Sequence, residues 1–577
     1  MSAPSPPSSQ PGETFATPVP DDVANQAAPL DALLVDAALG PLRRFVPNAS
    51  TARFAVGLAR HPRTTGSRLR DLVAELARVG TGSSNVAPSP RDRRFADPAW
   101  AENPLLRRLV QAYLAAEETT GQLVGDAGLG WRDEQRVRFL VENLLEALSP
   151  SNMPLVNPAS AKAAIDTAGL SLLRGGSNLV RDLATAPRVP KMVDTASFQV
   201  GRNIAVTPGA VVLRTELLEL IQYRPQTDQV RAVPLLIAPP TINKYYALDL
   251  APGRSLVEYL VQNGQQVFVV SWRNPDARHA EWGIDAYVQA LLDALAAVQR
   301  ICAADRVAVF GFCSGGILAS LTAAYLAVTG QESRLAALGL GVTVLDFADA
   351  GVPSALVDRR LAGAAKAKSR RRGYLDGRAL AEVFAWLRPG DLVWNSWVNN
   401  YLLGRKPPAF DILFWNADTT RMSATLHADF VDLAMDNRLV TPAAMTVRGD
   451  PVDLSRVGVD TYVVAGIADH LTPWQSCYRS TQLVGGESRF VLSTSGHIAA
   501  LVNPPGNPKA SYRVNHENTA DADTWLKGAE TRQGSWWPDV VAWLGGRSGA
   551  ERRAPKRLGG RGLPPLVDAP GTYVFDR

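Results

Sequence analysis

Cysteine is scarce in this chain. Cys302, Cys313 and Cys477 are its only three, and no two are spaced C-x-x-C. A disulfide framework and a cysteine-ligated zinc site are therefore excluded, no metal site is expected, and the chain suits a reducing cytoplasm. Long apolar runs are missing as well: none reaches 18 residues, so no transmembrane helix is expected. Nor is there an excess of one charge, since 60 Lys and Arg face 55 Asp and Glu for a net charge of +5. That balance leaves a modest attraction for anions and no footprint for nucleic acid. Histidine is also rare, with six in 577 residues, which shortens any search for a catalytic base. Residues 1–22 are rich in Pro and Ser and lack a basic segment followed by an apolar one. They read as a disordered tail, not a secretory signal.

What is present has two textures. Residues 23–195 read as a mostly helical N-terminal domain, with apolar residues at helical spacing over 28–42, 69–79, 104–116 and 134–148 and a loop over 80–92. The run Asp92-Arg93-Arg94-Phe95-Ala96-Asp97-Pro98-Ala99-Trp100 reads as a structured loop that packs on the second domain or on a partner. From 196 to 577, strand-like runs (210–214, 233–238, 266–271, 306–310, 461–465, 489–493) alternate with helical ones such as 285–300. That alternation predicts an α/β domain on a mostly parallel sheet, with its working groups at the C-terminal ends of the strands.

One stretch sits at the centre of this domain. Gly311-Phe312-Cys313-Ser314-Gly315-Gly316 lies between a short apolar strand and an Ala/Leu-rich helix. It is the nucleophile elbow G-x-S-x-G with Cys in place of Ser. Glycines permit the tight turn. The head of the following helix favours a thiolate, and the Ser314 N–H can face an oxyanion. A Cys nucleophile needs a base, and the base needs an orienting group. His497 follows the strand 489–493 through a short loop, and Asp469 stands in the same position one strand earlier. The order nucleophile, acid, histidine is that of an α/β-hydrolase fold. Cys313 is thus the expected nucleophile, His497 the base, and Asp469 its orienter or a second base. His470, beside the acid, reads as structural. His61 reads as a surface residue, and His427 and His516 fall in polar stretches away from strand ends.

A second oxyanion donor should come from the loop after an early strand. Residues 233–238 are that strand, which places Ile242 and Asn243 near the reacting carbonyl; alternatively, Asn243 and Lys244 only stabilise the turn. Residues 344–447 form an insertion expected to be a lid. Its basic cluster, from Arg359 to Arg372, is either a solvated helix face or an attractor of a phosphorylated substrate. Its aromatics, among them Trp386, Trp394, Trp397 and Tyr401, either line an acyl channel or form the lid's own core.

With these residues in view, the chain from about 92 to 577 resembles the polyhydroxyalkanoate synthase family, in its single-component form. The resemblance is carried by the Asp92–Trp100 segment, Pro150-Ser151-Asn152, Gly201-Arg202-Asn203, Pro239-Pro240 with Ile242-Asn243-Lys244-Tyr245-Tyr246, and Ser271-Trp272-Arg273-Asn274-Pro275. It continues through the elbow, Leu345-Asp346-Phe347, Asp469-His470 with Pro473-Trp474, Ser495-Gly496-His497-Ile498 and Ser535-Trp536-Trp537. It implies polymerisation of (R)-3-hydroxyacyl-CoA into a polyester through a Cys313 thioester. CoA is then part of the substrate and a product, and no cofactor is needed. It also implies a homodimer, a cytoplasmic location on polyester granules, and granule-associated protein partners. Features of two subgroups are mixed. Asn399-Asn400-Tyr401-Leu402-Leu403-Gly404 and 569–574 look medium-chain, whereas Thr343, Ala499 and Phe312 look short-chain; Thr343 and Ala499 are therefore expected near the acyl pocket. The rival classes are a cytoplasmic Cys-dependent α/β-hydrolase (a thioesterase or lactonase), a non-catalytic granule protein, and a secreted depolymerase. The first needs no helical N-terminal domain, the second would lack a triad member, and the third needs a signal peptide.

Overall fold

The structure, a computed structural model, describes residues 30–40, 49–90, 92–185, 187–348, 359–387, 389–469 and 471–577. The expected tail over 1–22, part of the insertion over 344–447, and His470 lie outside the described residues.

The N-terminal part is helical, as the spacing predicts. Its helices are α1 (Leu30–Leu39), α2 (Ala49–Arg60), α3 (Pro62–Thr81), α4 (Pro104–Asp126), α5 (Trp131–Ala147), α6 (Pro158–Asp166) and α7 (Leu170–Ala184). Two starts follow directly from sequence. Asn103 accepts hydrogen bonds from Leu105 N and Leu106 N at the head of α4, and Asn157 does the same at α6, each with Pro in the first turn. The Asp92–Trp100 segment packs inside this region, not on the second domain. Asp92 accepts from Arg94 N, Arg94 Nη1 donates to Tyr113 on α4, and Phe95, Trp100, Val110 and Tyr113 form a small core of their own.

The helix α1 departs from the expected domain boundary. Leu34 and Val35 are fully buried in the core of the second domain, where α1 packs against three helices of the insertion: α8 (Arg359–Arg372), α9 (Gly377–Leu387) and α10 (Ala424–Asp436). His427 on α10 is fully buried, contrary to the polar stretch expected, and its Nε2 meets the Leu34 carbonyl at 3.2 Å. Burial pushes this imidazole down to about 4, against the pull of the Leu34 carbonyl, so it stays neutral.

The second domain is built on an eleven-stranded sheet among the described residues. Its strands are β1 (Gly209–Arg214), β2 (Leu218–Tyr223), β3 (Leu235–Ala238), β4 (Val267–Trp272), β5 (Val307–Phe312), β6 (Leu335–Gly341), β7 (Thr461–Gly466), β8 (Ser488–Ser493), β9 (Ser511–Val514), β10 (Glu530–Gln533) and β11 (Val567–Asp568). The order is β10-β9-β8-β7-β6-β5-β3-β4-β2-β1-β11. The six strands from β8 through β4 are parallel to one another, and the flanking pairs are antiparallel. Buried on both faces, the central strands read as continuous apolar runs. The sheet separates two apolar cores, one under Ile284–Cys302 and Ser314–Val328, the other under Leu256–Gln262 and Trp537–Gly545. The insertion enters after β6 and returns before β7.

Strand β5 runs two residues beyond its expected end, because Gly311 and Phe312 pair with Leu340 and Gly341 of β6. Gly339 and Gly341 leave the room that the Phe310 and Phe312 rings occupy, and those rings stack with centroids 4.5 Å apart. β6 itself, Leu335-Ala-Ala-Leu-Gly-Leu-Gly341, gives no strand signal because Ala and Gly have poor β-propensity.

Candidate active site

Each chemically competent side chain stands at the C-terminal end of a parallel strand. Cys313 follows β5 with φ +51° and ψ −122°, the strained corner of the elbow, and caps the helix Ser314–Val328. Its N–H donates to Gly341 O at 2.8 Å. The elbow tolerates no side chain at its glycines. A methyl on Gly315 would overlap the carbonyls of Ala238 and Pro239, and one on Gly316 would overlap Thr343.

Asp469 follows β7, and His497 opens the short helix His497–Leu501 after β8. His497 Nδ1 lies 2.7 Å from Asp469 Oδ2. Both are buried, the Asp469 side chain completely. The carboxylate also accepts from Leu471 N at 2.8 Å, Thr472 N at 3.0 Å and Thr472 Oγ1 at 2.6 Å. Burial alone would push the His497 imidazole down. The Asp469 charge and hydrogen bond, together with the neighbouring Cys313, outweigh it and hold His497 up at about 10. Asp469 occupies Nδ1, so Nε2 is the nitrogen left for the thiol. The expected nucleophile, base and orienter are thus brought together in one constellation. Thr472 was missed; its signal was the spacing Asp469-x-x-Thr472, with which a hydroxyl returns to a carboxylate three residues back.

The other two thiols are set apart from Cys313. Burial pushes Cys302 up to about 12. Burial, then the nearby Asp469 charge, holds Cys477 well above its ordinary value. Cys313 alone is not fully buried.

Ser314 is fully buried, and its role is double. Its backbone N–H is in the open first turn of its helix, while its Oγ accepts from Thr241 N at 2.9 Å and meets Thr241 Oγ1 at 3.0 Å. That bond uses up the Thr241 N–H. The next donor, Ile242 N–H, has no acceptor among the described residues, and Asn243 follows with φ +64°. Thr343 is fully buried and donates to Gly341 O at 2.9 Å, so it supports the elbow from beneath. Ala499 lies half-buried on the His497 helix, two residues past the imidazole.

In the insertion, three of the seven basic side chains of helix α8 pair with acids, Arg359 with Asp436, Lys366 with Asp432 and Arg372 with Asp376, while Arg360, Lys368, Arg370 and Arg371 are exposed. The insertion's aromatics make a seam with the N-terminal helices. Trp386, Trp394, Trp397 and Tyr401 meet edge to face, Trp397 Nε1 donates to Asn152 O, and Tyr401 OH donates to Asp182 on α7. Trp386 and Trp394 pack with Ala385 and Val393 of the insertion and with Val189 of the N-terminal part in a small core. Among the described residues, no cluster of His, Cys, Asp or Glu could hold a metal, and no helix is long and apolar enough to cross a membrane.

A thiol on a strand–helix elbow, a buried carboxylate and an imidazole, in that chain order and at the C-terminal ends of parallel strands, mark the α/β-hydrolase fold. Residues 239–504 accordingly match the model of the alpha/beta hydrolase fold, and 91–260 match that of "Poly-beta-hydroxybutyrate polymerase (PhaC) N-terminus". The chain is 46% identical over 518 residues to poly(3-hydroxyalkanoate) polymerase 2 of Ectopseudomonas oleovorans, covering 90% of this chain and 92% of that one. It is 40% identical over 516 residues to the poly(3-hydroxyalkanoate) polymerase subunit PhaC of Cupriavidus necator, covering 88% and 87%. The chain belongs to the poly(3-hydroxyalkanoate) polymerase family.

Proposed function

We propose that this protein polymerises (R)-3-hydroxyacyl-CoA into polyester through a thioester on Cys313, releasing CoA. The observation that carries the reading is the Cys313, His497 and Asp469 constellation in a chain that aligns with polymerases along nine-tenths of its length. His497 Nε2 holds the proton given up by Cys313 Sγ as an imidazolium, and the thiolate attacks the thioester carbonyl. The developing oxyanion is met by the N–H groups of Ser314 and Ile242. As the tetrahedral adduct collapses, the C–S bond to CoA breaks and His497 returns its proton to the departing thiolate. The acyl group now sits on Cys313. His497 then accepts the proton of an incoming 3-hydroxyl, whose oxygen forms the ester bond as the Cys313 C–S bond breaks. Asp469 holds the imidazole in the tautomer that presents Nε2 and stabilises it when charged. Thiolates leave readily, which suits alternate thioester formation and discharge. Thr343 and Ala499 influence acyl length, Thr343 through the elbow it supports and Ala499 from the His497 helix.

The working form is a cytoplasmic homodimer on the surface of its own polyester granule, alongside granule-associated proteins. Apolar side chains exposed on the N-terminal helices, Leu105, Ile165, Leu173 and Val180 among them, support a surface that meets an apolar product.

The test is CoA release from (R)-3-hydroxybutyryl-CoA and (R)-3-hydroxyoctanoyl-CoA, wild type beside Cys313→Ala, with the product isolated. Release with insoluble polyester, lost in the variant, is expected. Release with only free 3-hydroxy acid would make water the acceptor and the protein a thioesterase.

A further inference from the structure

The turn after β3, residues 239–246, carries Ile242 and is held from several sides. Trp272 Nε1 donates to Pro239 O at 2.9 Å, and Ser314 Oγ accepts from Thr241 N. From the insertion, Thr420 Oγ1 donates to Thr241 O at 3.3 Å and Trp415 Nε1 to Lys244 O at 2.7 Å. One further tie is unlike these. The Lys244 side chain is buried, 3% exposed, and its ammonium donates to Tyr573 O at 3.3 Å and Asp576 O at 2.6 Å. No carboxylate forms an ion pair with it among the described residues. Burial holds it below the ordinary lysine range, against the opposing charges of Asp418 and Asp576. A buried ammonium is costly unless its donors are used, and an apolar chain of the same length would pack as well. What the ammonium adds is direction.

The segment it grips is itself fixed to the sheet. Glu219, fully buried on β2, accepts from Thr572 N at 2.8 Å, Thr572 Oγ1 at 2.7 Å and Tyr573 N at 3.0 Å. Tyr573 OH donates to Thr215 O at 2.6 Å, Arg273 lies over the Tyr573 ring, and Asn274 Nδ2 donates to Asp576 O at 3.3 Å. Residues 571–576 are therefore a strap held by β2 and by the residues just after β4, and Lys244 ties the turn to it.

We propose that Lys244 is a positioning residue for the thioester carbonyl: seated on the Tyr573 and Asp576 carbonyls, it holds the turn so that Ile242 N–H, left free beside the positive-φ Asn243, faces the oxyanion. This rests on the proposed thioester chemistry and adds to it a role for the C-terminal strap, remote in sequence from the elbow.

The test separates carbonyl chemistry from thiol chemistry in the full-length protein. Acylation of Cys313 by (R)-3-hydroxybutyryl-CoA passes through an oxyanion; alkylation of Cys313 by iodoacetamide does not. Lys244→Met should slow single-turnover CoA release about tenfold to a hundredfold, less than complete loss of a donor, with the alkylation rate unchanged. Gly571→Ala should give the same pattern, because its new methyl would overlap Glu219 and shift the strap. The two changes combined should cost no more than the larger single loss, since they break one connection. The proposal is overturned if CoA release is unaffected, if acylation and alkylation fall together, or if the two losses multiply. Absence of CoA release in the wild type would instead sink the proposed function.

Discussion

Three thiols share one chain, and their surroundings give them different chemistry. Cys302 and Cys477 are buried and held protonated, whereas Cys313 is partly open and stands beside His497. Iodoacetamide on the native protein should therefore label Cys313 alone by peptide mass mapping, with the other two appearing only after unfolding. Orientation of the base is the second residue-scale requirement. Asp469→Asn keeps the shape of the site but presents an amide to Nδ1 and favours the wrong tautomer. By analogy with other triads, CoA release should fall by about 10⁴-fold, with a circular dichroism spectrum like that of the wild type. The third consequence is a pH dependence. His497 is raised from its ordinary value near 6.5 to about 10 by Asp469 and Cys313, against burial. A raised pKa means the folded state binds the proton more tightly. The stabilisation is then fully present below about pH 6.5 and fades as pH rises through about 10. Urea titrations at pH 6 and pH 10 should show the wild type's advantage over His497→Gln shrinking at the higher pH. An advantage that grows with pH would mean that the imidazole is neutral in the resting enzyme.

At the scale of elements, close approach is bought with glycine. Gly175 on α7 lies against the Tyr401 carbonyl of the insertion, where a methyl would overlap it. Asn178 Nδ2 donates to Asn400 O at 3.1 Å beside it. Gly175→Ala should lift α7 from this seat at a cost of about 1–3 kcal/mol. Hydrogen exchange should rise across 170–184 and 398–402 while the central strands stay protected; uniform change would place the effect elsewhere. This seam also shows where sequence reading ended. The elbow, the Asp469 turn and the His497 loop were legible because each is a local pattern at a strand end. Helix α7 was not, since its Gly175-Gly176-Ser177 core has poor helix propensity and only the Tyr401 carbonyl explains the glycine. β6 was hidden by its Ala and Gly, which are there to admit Phe310 and Phe312. The packing of α1 on the insertion and the grip of Lys244 on Tyr573 and Asp576 depend on contacts between residues hundreds of positions apart, which no window of sequence contains.

The whole molecule divides its apolar surface unevenly. The second domain buries its large apolar side chains in two cores on either side of the sheet. Its most exposed large apolar residues are few and lie in the strap region, Leu566, Val567 and Phe575. The N-terminal helices do the opposite. On α7, Ser171 and Gly175 face the insertion, while Leu170, Leu173, Val180 and Leu183 share the outward side, with Leu173 72% and Val180 69% exposed. Water penalises such a stripe, and an apolar polymer would remove the penalty. The product of the proposed reaction is such a polymer, so under that reading the reaction would supply the surface that covers these helices. Burying one Leu or Val side chain is worth about 1.5–3 kcal/mol when complete. Leu173→Glu combined with Val180→Glu should therefore lower partition onto purified polyester particles by about tenfold or more. CoA release in the absence of preformed polymer should stay at the wild-type rate, because neither residue belongs to the Cys313 site. Sedimentation with the particles, read beside that rate, separates the two roles. Unchanged partition would move the contact surface away from α7, and a parallel loss of CoA release would show that these helices support the site itself.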